Sequence, residues 1–198
     1  MNGTIRLATV EDAEAMLDVY RPYVERTAVS FELDPPDVAE FENRIAHTLE
    51  RYPWLVLECG GVIVGYAYAG PLKSRAAYSH SVEVSIYLRE DERGQGLGRW
   101  LYDSLEALLR ELGVTNLYAC ITYSDDEHDP YLTRDSVFFH EHVGYTRVGA
   151  FHNCGRKFDR WYSVVWMEKI LHDKTLSEQA LTSTRHLPGK CLVEKPRG

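Results

Sequence analysis

The 198-residue sequence has no apolar run long enough to cross a bilayer, and no apolar leader segment follows Met1. A membrane-spanning helix needs about 20 mostly apolar residues, and a secretory leader needs an apolar stretch of about 7–15 residues. We therefore expect a cytoplasmic chain that has no membrane partner.

Cysteine is scarce and is not arranged as in a metal site. The four cysteines form no C-x-x-C pair and have no histidine at metal-ligand spacing, which argues against a zinc site and against a disulfide framework. We predict no bound metal. Cys59 and Cys120 lie within apolar runs and are predicted to be small core residues.

The chain has fewer basic than acidic residues. It contains 22 Lys and Arg and 30 Asp and Glu, which gives a net charge of -8. Such a surface repels phosphate backbones, so nucleic acid is not expected as a partner. Hydrophobic residues make up 44% of the chain and aromatic residues 12%, which is typical of a globular protein. One domain is predicted over residues 1–172. Residues 173–198 are predicted to be an extension that is flexible or packs on a partner subunit.

The apolar periodicity predicts a mixed α/β fold with a single sheet. Gly60-Gly61 between two apolar runs predicts a tight antiparallel hairpin, because both glycines tolerate positive φ. Strands are predicted at 4–8, 54–59, 62–69, 82–88, 116–121, 145–151 and 161–169, and helices at 13–25, 38–51, 97–112 and 135–142.

The strand at 82–88 alternates in polarity, with Val82 and Val84 on one face and Glu83 on the other. A glycine-rich turn, Arg93-Gly94-Gln95-Gly96-Leu97-Gly98, follows it and opens an amphipathic helix. Free N–H groups at a helix N-terminus bind anions. The turn is not a Walker A loop and is a poor dinucleotide fingerprint. On spacing alone, a phosphate-binding loop and a simple glycine-rich connector both remain open.

The R-x-x-G-x-G turn, between an amphipathic strand and a Leu-rich helix, resembles the acetyl-CoA pyrophosphate loop of the GCN5-related N-acetyltransferase (GNAT) superfamily. Further segments resemble the phosphinothricin N-acetyltransferase-like group in the expected order. They are RYPWLV at 51–56, AYAGP at 67–71, K-x-R-x-x-Y at 73–78 and HEHVGY at 140–145. The resemblance implies a mostly antiparallel mixed sheet, flanked by helices, with a V-shaped splay between two strands.

The resemblance also implies acetyl-CoA as acetyl donor and a set of site residues. Glu83 corresponds to the general base, the alternative being a solvated strand carboxylate. His140 is the candidate proton donor for the leaving thiolate, the alternative being a structural histidine near the cofactor. The predicted cofactor-binding residues are Ile86, Tyr87 and Leu88 for the pantetheine arm, and Arg93, Gly94, Gln95, Gly96, Leu97, Gly98 and Arg99 for the pyrophosphate.

An acceptor pocket is implied by four further residues, Phe31 as an apolar wall and Lys73, Arg75 and Tyr78 on one loop. Cationic side chains suit a small amino-acid-like acceptor of the phosphinothricin, methionine sulfoximine or methionine sulfone type. A solvated basic loop is the alternative. An N-acetyltransferase for a protein N-terminus or another amine, and a non-catalytic acyl-CoA sensor, are the competing functions.

Two further segments bear on the expected assembly and cofactor contacts. Lys157 and Trp161 belong to a hairpin that resembles the family's C-terminal hairpin, which commonly packs at a dimer interface, so we expect a homodimer. Thr133 stands where the family usually has a cofactor-contacting Asn, and residues 125–132 resemble an insertion. A cofactor contact from this loop is therefore left open.

Overall fold

The computed structural model describes residues 3–171 and 193–194, which form an eight-stranded mixed sheet with helices on both faces. The sheet order is β6-β7-β5-β4-β3-β2-β1-β8, and this confirms the predicted α/β class. The helices are α1 (Ala13–Arg26), α2 (Val38–Leu49), α3 (Leu97–Glu111) and α4 (Asp135–His142). The strands are β1 (Gly3–Leu7), β2 (Trp54–Cys59), β3 (Val62–Pro71), β4 (Ser81–Leu88), β5 (Asn116–Tyr123), β6 (Thr146–Lys157), β7 (Arg160–Ile170) and β8 (Val193–Glu194).

Local sequence signals fix several element ends. The Asp37 side chain caps α2 by accepting a hydrogen bond from the Glu40 N–H at 2.8 Å. The predicted hairpin joins β2 to β3, and Gly60 and Gly61 have φ values of +60° and +81°. Helix α2 ends two residues before the predicted position 51, and the N–H groups of Arg51 and Tyr52 share the Thr48 carbonyl at this end.

The two faces of the sheet bury two separate apolar clusters. Helices α1 and α2 pack on the face that carries Trp54, Val56 and Tyr66, and α3 packs on the opposite face through a buried stripe of leucines. Leu101 and Leu105 are almost fully buried there. Among residues 3–171, no helix is both long and apolar enough to span a membrane.

The central strands β4 and β5 are parallel neighbours that separate partway along their length. They pair only at Ser81↔Asn116, Val82↔Leu117 and Glu83↔Tyr118, although both strands continue for five residues beyond the last pair. On its other side β4 stays paired with β3 up to Leu88. This divergence confirms the predicted V-shaped splay.

The last hairpin is longer than its apolar pattern suggests. Strand β6 runs to Lys157 instead of Phe151, with irregular register between Phe151 and Gly155, and it is the outer strand beside β7. The polar residues in this part of β6 pair with β7 through their backbone but form no apolar face. Apolar periodicity therefore does not predict this part of the strand. Most of the predicted C-terminal extension, residues 173–198, lies outside the described residues. Its Val193–Glu194 pair with β1.

Candidate active site

The splay between β4 and β5 opens a cleft with about 460 Å³ of empty space, part of it continuous with solvent. Its walls come from the diverging strands, from the Tyr102 side of α3, from the His140 side of α4, and from Val29 in the loop between α1 and α2. Among the described residues, none pairs as a strand with the edge of β4 that faces the cleft beyond Glu83. Unpaired backbone N–H and C=O groups in a cleft need a ligand or water to satisfy them.

Glu83 lies at the point where the two strands part, paired with Tyr118 on one side and Gly70 on the other. Its side chain is half-buried. Burial raises the pKa of the carboxyl, and the positive charge of Lys73 opposes that shift in part. A carboxylate with a raised pKa at the closed end of a cleft is suited to accept a proton near neutral pH.

Tyr68 and Ser85 occupy the sheet face that also carries Glu83. Tyr68 stacks on Trp54 with ring centroids 4.1 Å apart. Burial raises the pKa of the Tyr68 hydroxyl, and its hydrogen bond with Ser85 opposes the shift. Glu83 is half-buried on this face, and partial desolvation is the main physical cause of its raised pKa.

His140 faces the cleft from α4, yet it is only 3% exposed. Its Nδ1 lies 2.7 Å from the Ser136 carbonyl and its Nε2 lies 3.0 Å from the Tyr102 hydroxyl. A carbonyl oxygen can only accept, so Nδ1 carries the ring proton and Nε2 accepts from Tyr102. Burial lowers the pKa of the imidazole to about 4. The ring is therefore neutral at pH 7 and has no proton at Nε2.

Tyr102 is the cleft residue that the sequence reasoning missed. It belongs to the apolar stripe of α3, where an aromatic residue gives no separate signal in the sequence, and its ring packs beside Phe139, His140 and Tyr145. Its hydroxyl reaches His140, and burial raises the pKa of that hydroxyl well above its usual value. A charged residue at this position in the leucine stripe would have been a candidate site residue from the sequence alone.

The predicted core position of Cys120 is wrong, because its side chain is exposed in the wall of the cleft. Strand β5 is apolar at this point, but the splay removes the neighbour that would have covered the thiol. Partial desolvation and the charge of Glu83 raise the Cys120 pKa to about 12. Cys59 is half-buried and packs against the core. Among the described residues, no group of three His, Cys, Asp or Glu side chains is arranged to hold a metal ion.

The glycine-rich turn leads directly into α3 beside the open end of the cleft. Gly94 and Gly96 both have φ of +75°, and an added Cβ would meet no atom within 4 Å at either position. The backbone conformation, and not packing, therefore requires glycine at these two positions. Gly96 is the N-cap of α3 and provides no side-chain cap for the first N–H groups of the helix. The turn thus offers backbone donors to an anion.

The polar side chains of this turn already have partners within the protein. Arg93 donates to the Tyr23 hydroxyl at 2.9 Å, and Gln95 donates to Glu92 at 3.0 Å. Arg99 donates to the His142 carbonyl at 2.8 Å, which ties the start of α3 to the end of α4. The donors that remain for a pyrophosphate are mainly the backbone N–H groups.

The four predicted acceptor-pocket residues lie in two places. Lys73, Arg75 and Tyr78 are exposed on the loop between β3 and β4, and Lys73 is the one whose charge acts on Glu83. Phe31 lies in the loop between α1 and α2, packed over Gly155 of β6. Val29 of the same loop lines the cleft, which brings this segment to the site.

The segment before α4 is held by local hydrogen bonds and by a contact with β7. The Thr133 hydroxyl donates to the Asp135 carboxylate at 2.8 Å, at the start of the helix. Asp129 accepts from the Tyr162 hydroxyl at 3.2 Å and anchors the loop to β7. From this stretch and the first turn of α4, Leu132 and Ser136 line the cleft.

Comparisons with known proteins agree with this geometry. Residues 5–166 match the family model of the acetyltransferase (GNAT) domain. The chain is 34% identical to phosphinothricin N-acetyltransferase of Streptomyces viridochromogenes over 83% of this chain and 86% of that protein. It is 31% identical to L-methionine sulfoximine/L-methionine sulfone acetyltransferase of Salmonella typhimurium over 86% and 95%, respectively.

The fold also matches the solved structure of a GNAT superfamily phosphinothricin acetyltransferase from Sinorhizobium meliloti in complex with acetyl-CoA. The TM-score is 0.77 at 30% identity, covering 86% of this chain and 89% of that one. A matched family model over most of the chain, relatives above 30% identity and a shared fold lead to one conclusion. The chain belongs to the GNAT acetyltransferase family and is an N-acetyltransferase.

Proposed function

We propose that the protein transfers the acetyl group of acetyl-CoA directly to the amino group of a small amino acid or analogue. The acceptors we propose are of the phosphinothricin, methionine sulfoximine and methionine sulfone type. The observation that carries the proposal is the half-buried Glu83 at the closed end of the β4/β5 cleft, with Lys73 acting on it. Relatives named for these acceptors support the same class.

The residues around the cleft suit acetyl-CoA as the donor. Acetyl-CoA supplies an acetyl thioester, so a C–S bond breaks as the amide C–N bond forms. The backbone N–H groups between Gly94 and Arg99, at the N-terminus of α3, are proposed to bind the pyrophosphate. The unpaired edge of Ile86, Tyr87 and Leu88 can hydrogen-bond an extended amide-containing arm, as a strand would.

Glu83 is proposed as the general base. An amino group attacks a thioester only in its neutral form, so the acceptor ammonium has to lose a proton first. Partial burial raises the pKa of Glu83, which makes it a stronger base than a solvated glutamate, and the charge of Lys73 opposes this shift in part. The proton passes to the carboxylate through hydrogen-bonded water or directly.

His140 is proposed to act at the thiol end of the cleft together with Tyr102. The neutral imidazole accepts from the Tyr102 hydroxyl and orients it. In this state His140 has no Nε2 proton to give, and the single hydroxyl proton of Tyr102 is donated to Nε2, so Tyr102 can donate to the thiolate only after its hydroxyl turns away from His140. Replacement of His140 with Gln and of Tyr102 with Phe separates the two contributions.

The acceptor side of the site is proposed to recognise negative charge. Lys73 and Arg75 are exposed cations on one short loop, and Tyr78 adds a hydroxyl. A carboxylate together with a phosphinate, sulfone or sulfoximine group offers two sets of oxygens for these donors. Phe31 supplies an apolar surface for the side-chain methylenes of the acceptor.

The acceptor panel tests the proposal. Release of CoA thiol is measured with phosphinothricin, methionine sulfoximine, methionine sulfone, unmodified amino acids and short peptides. We expect turnover with the amino-acid analogues and none above background with peptides. Equal turnover across the panel would favour the competing transferase for protein N-termini, and acetyl-CoA binding without any turnover would favour the sensor.

The role of Glu83 is tested with Glu83→Gln and with Glu42→Gln as the matched control, since Glu42 is an exposed carboxylate on α2. We expect Glu83→Gln to slow turnover at least about 100-fold, the usual contribution of a general base. Acetyl-CoA binding should be nearly unchanged in both variants. Full activity of Glu83→Gln would remove Glu83 from the mechanism.

We also propose a homodimer through the outer hairpin. Val148, Phe151 and Trp161 are large apolar side chains that remain exposed on β6 and β7. Large apolar side chains that remain exposed on an outer hairpin are typical of interfaces between subunits. Sedimentation of the protein and of a Phe151→Asp variant tests this proposal, with a shift to monomer expected for the variant.

A further inference from the structure

Lys157, the last residue of β6, carries a buried ammonium that the proposed acetyl transfer does not use. Its exposed fraction is 4%. The Nζ donates to the carbonyl of Ser30 at 2.7 Å and lies 5.2 Å from the centroid of the Phe158 ring. Burial lowers the pKa of the ammonium, and the charge of Glu32 opposes the shift. A buried cation is costly unless it is hydrogen-bonded, so this contact strongly constrains the loop that contains Ser30.

That loop is held on both sides of Phe31. The buried Ser30 hydroxyl lies 2.7 Å from the Tyr20 hydroxyl and accepts from the Glu32 N–H at 3.1 Å. The Glu32 carboxylate in turn accepts from Arg44 of α2 at 2.6 Å. The backbone that presents Phe31 is therefore fixed by α1, α2 and, through Lys157, by the outer hairpin.

The ring of Phe31 also depends on the hairpin. It lies so close over Gly155 that a Cβ added there would stand 2.2 Å from the ring atom Cε2. The Phe31 and Tyr162 ring centroids are 6.4 Å apart. Phe31 nevertheless keeps 37% of its surface exposed. The exposed part is the surface that a bound acceptor can contact.

We propose that Lys157 is a positioning residue for the acceptor. By holding the Ser30 carbonyl, it fixes the segment that carries Phe31 and sets the shape of the apolar wall of the acceptor pocket. This inference rests on the proposed function, because Phe31 is assigned to the acceptor pocket there. It predicts an effect on acceptor affinity and none on the acetyl-transfer step, since Lys157 contacts no proposed catalytic group.

The test compares wild type with Lys157→Met, which keeps the length of the side chain and removes its charge and donors. Loss of a charge-assisted hydrogen bond predicts an acceptor KM raised roughly tenfold or more. At saturating acceptor, kcat and the KM for acetyl-CoA should stay within about twofold of wild type. Arg156→Met is the matched control, because Arg156 is the adjacent cation but is exposed.

A second variant keeps the test valid if Lys157→Met folds poorly. Gly155→Ala leaves Lys157 intact and forces the Phe31 ring to move, so it should raise the acceptor KM in the same way. Lys157→Met should have no further effect on that KM in a Phe31→Ala background, because both changes act on the same wall. Additive effects in the double variant would overturn the inference.

Amide hydrogen exchange gives a readout that does not depend on turnover. Lys157→Met should speed exchange in residues 29–33 and leave the interior of α1 unchanged. Unchanged exchange in this segment, or an equal loss in all kinetic parameters, would overturn the inference. If wild type acetylates no amino acid in the panel, the proposed function fails on its own, and the exchange result alone decides whether Lys157 fixes the loop.

Discussion

The stability of the protein should depend on pH through the buried imidazole of His140. In the folded state burial lowers the pKa of this group from 6.5 to about 4, whereas the unfolded chain keeps an ordinary histidine value. Between these two values the unfolded state binds a proton that the folded state does not bind. The free energy of unfolding therefore falls as the pH is lowered from 6.5 towards 4.

The size of the effect follows from the shift in pKa. Each unit corresponds to about 1.4 kcal/mol, so the move from 6.5 to about 4 corresponds to about 3 kcal/mol of stability. The contribution is fully present above pH 6.5 and is lost below pH 4. It is of the same order as the total stability of a marginal domain, so it is readily measurable.

The assay is urea unfolding at pH 7.0, 6.0, 5.0 and 4.5, with wild type compared with His140→Gln. Glutamine does not titrate and retains an oxygen that can accept from Tyr102. We expect the stability of wild type relative to the variant to fall across this range by about 2 kcal/mol, because the rest of the effect appears only below pH 4.5. A difference that stays constant with pH would show that His140 titrates normally in the folded protein and would refute the reasoning.

Three other variants test separate parts of the structure. Lys73→Met should move the acid limb of the pH profile of kcat/KM to higher pH, because the charge of Lys73 lowers the Glu83 pKa. An acid limb at unchanged pH would disprove that coupling. Gly96→Ala should raise the KM for acetyl-CoA and lower the free energy of unfolding in urea by about 1–2 kcal/mol, because alanine is strained at φ +75°. An unchanged KM would argue against backbone binding of the pyrophosphate. Leu105→Ala should cost about 2–5 kcal/mol of unfolding free energy, because Leu105 is almost fully buried; a loss below about 1 kcal/mol would contradict its place in the core.

The elements of this fold are well determined by local sequence. Apolar periodicity predicted α1, α3 and α4 to within a few residues, and Gly60-Gly61 predicted the β2–β3 hairpin. The alternation in β4 placed Glu83 opposite Val82 and Val84, and the two valines are indeed buried. These signals depend on neighbours three or four residues apart in a helix and two apart in a strand, so the sequence contains them directly.

The candidate site was only partly visible in the sequence. The motif resemblance predicted Glu83, His140 and the glycine-rich turn. The structure places Glu83 where β4 and β5 part, and His140 lines the cleft between them. The resemblance missed Tyr102, because an aromatic residue in a leucine stripe looks like core. The predicted core position of Cys120 was wrong. Its strand is apolar, and the sequence does not show that β4 diverges from β5 at this position.

The sequence by itself therefore determined the secondary structure, the family and the types of side chain available for chemistry. Only the tertiary structure decided that β4 and β5 part after Glu83, that the His140 imidazole is neutral, and that Lys157 holds the Ser30 carbonyl from 127 residues away. The physical reason is that pairing, desolvation and long-range hydrogen bonds depend on which groups the fold brings together. The local periodicity of the sequence does not show which distant groups come into contact.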